Sequence, residues 1–103
     1  MILYNVTSQI VPEMESQWME WMQKAHLPNQ LATGCFVKAT LLKIDADTDD
    51  FKAYAVQYEM VSEKELERYK TTIAPQIADQ LKAIFGENVL QFSTQLQMIS
   101  THE

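Results

Sequence analysis

Four segments of this chain alternate with a period of two, and in each the second face is polar yet almost free of charge. Residues 2–10 put Ile2, Tyr4, Val6 and Ile10 on one side and Leu3, Asn5, Thr7 and Gln9 on the other. Residues 35–44 and 51–60 repeat the habit, with Phe36, Lys38, Thr40 and Leu42 on the second face of one and Ala53, Ala55, Gln57 and Glu59 on that of the next. Residues 88–99 read as a fourth strand, with Leu90, Phe92, Leu96 and Met98 turned inward and Gln91, Ser93, Gln95 and Gln97 outward. Successive side chains of a strand point to opposite faces, so this alternation predicts a sheet with one face on a core. A face left in water carries many Lys and Glu residues, whereas this one carries Lys38 and Glu59 and little else. A second copy of the chain is therefore expected to cover it. The homodimer interface would hold Asn5, Thr7, Gln9, Gln57, Gln91 and Gln95.

The segments between the strands change period. Met14, Trp18, Trp21, Met22 and Ala25 recur at helical spacing and define one apolar stripe. Pro12 suits the first helical position, and Glu13 and Glu15 sit near the positive end of the helix dipole. Pro28 is expected to end this helix or start a short new turn, which puts His26 at a helix end. Ser62 opens the second helix with Glu65 three residues later, a capping-box pattern. Leu66, Tyr69, Ile73, Ile77, Leu81 and Ile84 continue its stripe, Pro75 predicts a kink or two abutting helices, and Gly86 marks its end. The short connection Asp45–Asp50 demands an antiparallel hairpin. A register with Ile44 opposite Phe51 would set Lys38 against Gln57, with Glu59 on the diagonal. The order is β-α-β-β-α-β: one domain over residues 1–103, an α+β ferredoxin-like arrangement of four antiparallel strands with both helices on one face.

Composition excludes several classes of function. The chain has 103 residues, with 8 Lys and Arg against 14 Asp and Glu, for a net charge of −6. Phosphate backbones and anionic lipids bind through clustered Lys and Arg, so neither nucleic acid nor membrane is expected as a partner. Met1–Asn5 has no basic flank and turns polar within a few residues, unlike a signal peptide or a membrane span. The expected compartment is the cytoplasm. Cys35 is the single cysteine, so no intramolecular disulfide can form, and its apolar setting reads as a small buried hydrophobe. Two glycines cannot build a phosphate loop. Asp45–Asp50 lacks the glycine and the terminal glutamate of a calcium loop and reads as a solvated hairpin tip. No metal-ligand spacing occurs, and no metal or cofactor is expected.

His26 is the one candidate catalytic residue, because imidazole titrates near neutrality and can serve as acid, base or ligand. Trp18, Trp21 and Tyr58 offer broad surfaces, each with one polar handle, and with His26 form the candidate lining of a pocket for a small apolar ligand. Two functions fit these residues. One is a homodimeric small-ligand-binding or accessory module. The other is a small cofactor-independent enzyme, of monooxygenase or isomerase type, with His26 as general base.

Met1-Ile2-Leu3-Tyr4-Asn5-Val6-Thr7, Trp18-Met19-Glu20-Trp21-Met22, His26-Leu27-Pro28 and Leu31-Ala32-Thr33-Gly34-Cys35-Phe36 resemble a family of short single-domain bacterial proteins of unknown function. Tyr54-Ala55-Val56-Gln57-Tyr58, Glu67-Arg68-Tyr69 and Ala74-Pro75 extend the resemblance over nearly the whole chain. In layout it is similar to the dimeric α/β-barrel superfamily. The resemblance implies the fold and a dimer, but no activity. Haem-degrading members of that superfamily place an Asn on the first strand and a Trp and a His on or near the second helix. Asn5 matches by strand, but the second helix here has neither Trp nor His, so that activity is not carried over.

Overall fold

The computed structural model describes all residues, 1–103. Strand β1 (Ile2–Ile10) leads through a 3-10 turn, Pro12–Met14, into α1 (Glu15–Trp21). A wide π-helical turn, Met22–His26, joins α1 directly to α2 (Leu27–Ala32). The hairpin of β2 (Lys38–Ile44) and β3 (Lys52–Met60) follows. The second helix repeats the design of the first: α3 (Glu63–Arg68), a wide turn Tyr69–Ile73, then α4 (Ala74–Phe85). A 3-10 turn, Gly86–Asn88, delivers the chain to β4 (Val89–Gln97). The sheet order is β2-β3-β1-β4 with every neighbour antiparallel, the ferredoxin-like arrangement.

Both wide turns lie just before a proline, Pro28 and Pro75, which occupy the first turns of α2 and α4. Proline has no N–H to donate, and its ring crowds the carbonyl four residues back. A turn bonded i→i+5 moves that carbonyl aside. The chain therefore runs on through Pro28 instead of stopping, and His26 sits inside a continuous helical stretch, not at a helix end. The Ser62 hydroxyl accepts from the Glu65 N–H at 3.4 Å, whereas the Glu65 carboxylate turns to Arg68 at 2.9 Å, so only half of the capping box forms. Gly86 closes α4 at φ 59°, ψ −128°, a conformation that side chains with a Cβ avoid.

The core lies between the helices and one sheet face. Cross-strand partners share a face, so Ile2, Tyr4, Val6 and Ile10 of β1 stand beside Val56, Tyr58 and Met60 of β3. Trp18, Met22, Leu66, Tyr69 and Phe85 pack down on them from the helices. Each such side chain, fully buried, contributes roughly 1.5–3 kcal/mol. Cys35 is buried and free, as a small hydrophobe would be.

Three expectations about the sheet are corrected. In the hairpin Lys38 faces Glu59 and Leu41 faces Val56, two residues from the expected register. An even slip leaves the faces unchanged, and it brings Lys38 Nζ to 3.8 Å from Glu59 Oε2 directly across the strands. The cause is a longer tip: Asp47 accepts from Lys43 and from the Ala53 N–H, and Thr48 bonds the backbone of Phe51, so the strands stop at Ile44 and Lys52. Second, β2 begins only at Lys38. Phe36 is not on the outer face but buried, stacked 4.4 Å from Tyr58, and Val37 points to solvent.

The third correction reverses β4. Gln91 pairs with Ser8, Ser93 with Val6, Gln95 with Tyr4 and Gln97 with Ile2, which puts all four on the helix side. Leu90, Phe92 and Leu96 pair with Gln9, Thr7 and Leu3 on the outer face, where they are 61%, 55% and 41% exposed. Gln91 and Gln95 are thus not part of the face expected to meet a second copy. The physical reason is position. β4 is an edge strand beyond the footprint of the helices, exposed from Leu90 onwards, so its helix side tolerates Gln and Ser. Those groups find partners there: Gln91 Nε2 donates to Ser8 Oγ at 3.0 Å and Gln97 Nε2 to Glu63 Oε1 at 3.0 Å.

Candidate functional site

A cavity of about 510 Å³ opens between the sheet and the two helices. Strand β1 gives it Tyr4, Val6 and Ser8, β3 gives Val56 and Tyr58, and the first helix gives Met22, His26 and Gln30. The second helix closes it with Tyr69, Ala74, Ile77, Ala78 and Leu81, and the edge strand β4 supplies its mouth. The charged residues on the wall are Lys82 and Glu87, both exposed. The volume is in the range of sites that hold small molecules.

The wide turn of the first helix explains why His26 and Gln30 point inward. Trp18, Met22, His26 and Gln30 are spaced by four, and all are buried. In an α-helix a four-residue step overshoots a full turn by about 40°, so three such steps would carry the row off its face. The π-helical turn Met22–His26 takes back part of that rotation and holds the row on the sheet. In the second helix the turn Tyr69–Ile73 does the same between Tyr69 and the stripe of α4.

At the inner end Gln30 is 1% exposed, and its Nε2 donates to Tyr69 Oη at 2.6 Å. Its Oε1 is buried without a partner. With Nε2 engaged by Tyr69, the carboxamide oxygen is the end left over. Tyr58, Tyr4 and Phe36 surround Tyr69, with Phe36 edge-on at 4.9 Å and Tyr4 at 5.9 Å. Burial pushes the hydroxyls of Tyr58 and Tyr69 up, so both stay protonated donors at neutral pH. Burial pushes the His26 imidazole down to about 4, so it is neutral there. The inner end is therefore a small neutral polar patch beneath an apolar chamber.

Of the four candidate lining residues, the structure brings His26 and Tyr58 to the cavity and leaves Trp18 and Trp21 off its wall. Trp18 is fully buried against Tyr54 at 5.1 Å. Trp21 stacks on His26, with ring centroids 4.5 Å and planes 18° apart, and makes a T-shaped contact with Phe85 at 5.4 Å between centroids. It fixes the imidazole plane without reaching the chamber. Gln30 is the residue that sequence reasoning missed, although the four-residue spacing from Trp18 through His26 leads to it. No three His, Cys, Asp or Glu residues gather where they could hold a metal ion. No helix is long and apolar enough to cross a membrane.

Solved structures of other proteins share this fold. A dimeric ferredoxin-like protein from an uncultured marine organism superposes with a TM-score of 0.68 at 11% identity, over 100% of this chain and 99% of its own. A protein from Deinococcus radiodurans, described as a candidate antibiotic biosynthesis monooxygenase, gives 0.71 at 11% identity, over 100% and 97%. An ethyl tert-butyl ether (ethd) family protein from Bacillus halodurans gives 0.64 at 14% identity, over 96% and 100%. At such identities the likeness is one of fold. No curated protein matches the sequence. The family model described as a domain of unknown function, DUF4286, matches residues 1–99, and the chain belongs to that family.

Proposed function

We propose that the protein is a homodimeric small-ligand-binding module, resident in the cytoplasm, whose cavity between sheet and helices takes one small, largely apolar molecule. The observation that carries this reading is the cavity of about 510 Å³, with an apolar body and the neutral polar end formed by His26, Gln30, Tyr58 and Tyr69. Protein interiors pack densely, and an unfilled space of this size weakens the fold around it. The dimer reading draws on the outer sheet face. There Leu3, Leu42, Leu90, Phe92 and Leu96 stand among Asn5, Thr7, Gln9 and Gln57, and the two charges, Lys38 and Glu59, pair with each other. Exposed apolar groups in such density mark a contact surface. The marine protein of the same fold is described as dimeric.

A second reading has one observation in its favour: His26 faces the cavity, as the general base of a cofactor-independent monooxygenase or isomerase must. The Deinococcus protein carries a description of that kind. Against it stands basicity. A general base works best with a pKa near the working pH, and an imidazole held at about 4 accepts a proton poorly. Hydrogen bonding suits it better.

Native mass spectrometry of the purified protein, before and after solvent extraction, tests the binding reading. One small molecule per chain is expected, and Ala78→Trp, which fills the cavity from α4, should remove it. Protein that is empty as isolated and takes up no apolar probe would sink the reading. If the extracted molecule is chemically turned over on return, and His26→Phe stops turnover but not binding, the enzyme reading replaces it.

A further inference from the structure

Resting on the ligand-binding reading, we infer that the natural ligand is an uncharged molecule with an apolar body and a hydroxyl head, and that the free end of the Gln30 carboxamide reads this head. A buried polar atom without a partner is costly, and native structures keep few of them. Here the residue that carries the unpaired atom lines a cavity, and an occupant pressed against the inner end is the partner the fold itself does not supply. The opposite end of the carboxamide is already held by Tyr69 at 2.6 Å, so the free end is fixed in direction.

The chemistry of the inner end selects the head group. A ketone or ether only accepts and could not pair with a free carboxamide oxygen. An ammonium donates but brings a charge that no carboxylate at the inner end offsets. A carboxylate meets no cation there, since Lys82 stands exposed on the wall with Glu87. A hydroxyl donates and accepts, so it can give its proton to Gln30 Oε1 and receive one from a tyrosine hydroxyl such as Tyr58. Desolvating it costs far less than desolvating an ion. Gln30 is thus a specificity residue: it selects among apolar molecules by their head.

Calorimetric titration of the intact protein near neutral pH with 2-naphthol, naphthalene and 2-naphthoate tests this. These probes share one apolar body and differ at the head. 2-Naphthol should bind at least about tenfold more tightly than either of the others, the discrimination expected where a site's polar group is left unpaired by the wrong ligand. Gln30→Met should abolish the preference, bringing 2-naphthol to the level of naphthalene in the same variant. Naphthalene binding as tightly as 2-naphthol to the unaltered protein overturns the inference and leaves the binding reading standing, and so does 2-naphthoate binding tightest. If none of the three binds, both fall. The comparison among probes on the unaltered protein decides the matter even if Gln30→Met does not fold.

Discussion

His26 and Gln30 show how two neighbours one turn apart acquire different work from the same burial. His26 is shielded by Trp21 on one side and faces the cavity, and desolvation strips it of its proton. Gln30 cannot ionise, so burial leaves it with an unmet hydrogen bond instead. The imidazole has a consequence for stability. Its pKa falls from 6.5 in the unfolded chain to about 4 in the folded one. Between those values the unfolded chain binds more protons, so stability present above the upper value is lost as the pH falls through the lower. From about pH 7 to about pH 4, His26 should cost the fold about 3 kcal/mol. Urea denaturation at both ends of that window should show His26→Gln losing less stability than the unaltered protein by about that amount; equal losses would mean that the imidazole is not shielded. His26 and Tyr58 were legible as candidates because each carries a polar handle that a pocket can use, and both line the cavity. Gln30 was not, since a glutamine among many gives no signal until the row from Trp18 is traced through a widened turn. Spacing could not decide whether Trp18 and Trp21 line a cavity or support its wall, because the same aromatic stripe does either.

The helices and the edge strand each depart from ideal geometry in a way that builds the site. The element order, the helical stripes and the break at Pro75 could all be read from periodicity and proline placement. The wide turns could not, because a π-helical turn and an α-helical one differ by a single residue in the pattern. The phase of β4 was misread for a related reason. Leu90, Phe92 and Leu96 alternate as a core strand would, and only pairing with β1 shows that this alternation faces outward. Apolar residues on an edge strand belong to whichever surface is covered, and the helices do not reach it. Gly86 governs the delivery of β4 to the cavity mouth. Nothing lies within 4 Å of the place a Cβ would occupy, so the cost of Gly86→Ala is conformational, not steric crowding by neighbours. Thermal unfolding should show that variant less stable by roughly 1–3 kcal/mol. A neutral substitution would mean that the chain leaves α4 by another path.

Over the whole molecule the two faces of the sheet divide the labour. The helix side holds the core and the cavity. The outer side holds an apolar strip that a second copy can cover, and the correction to β4 enriches this strip: Leu90, Phe92 and Leu96 replace Gln91, Ser93, Gln95 and Gln97 there. Light scattering at micromolar concentration should return twice the 11.9 kDa of one chain. Leu96→Glu, on the outer face and off the cavity wall, should shift the protein towards monomer without altering ligand binding. A monomer in the unaltered protein would contradict the dimer. Ligand binding belongs to the other side, and a nuclear magnetic resonance titration of isotope-labelled protein with 2-naphthol locates it. The largest shifts are expected at the Gln30 side-chain amide, His26 and Tyr69. Shifts centred instead on Leu42 and Leu96 of the outer face, or none at all, would contradict it.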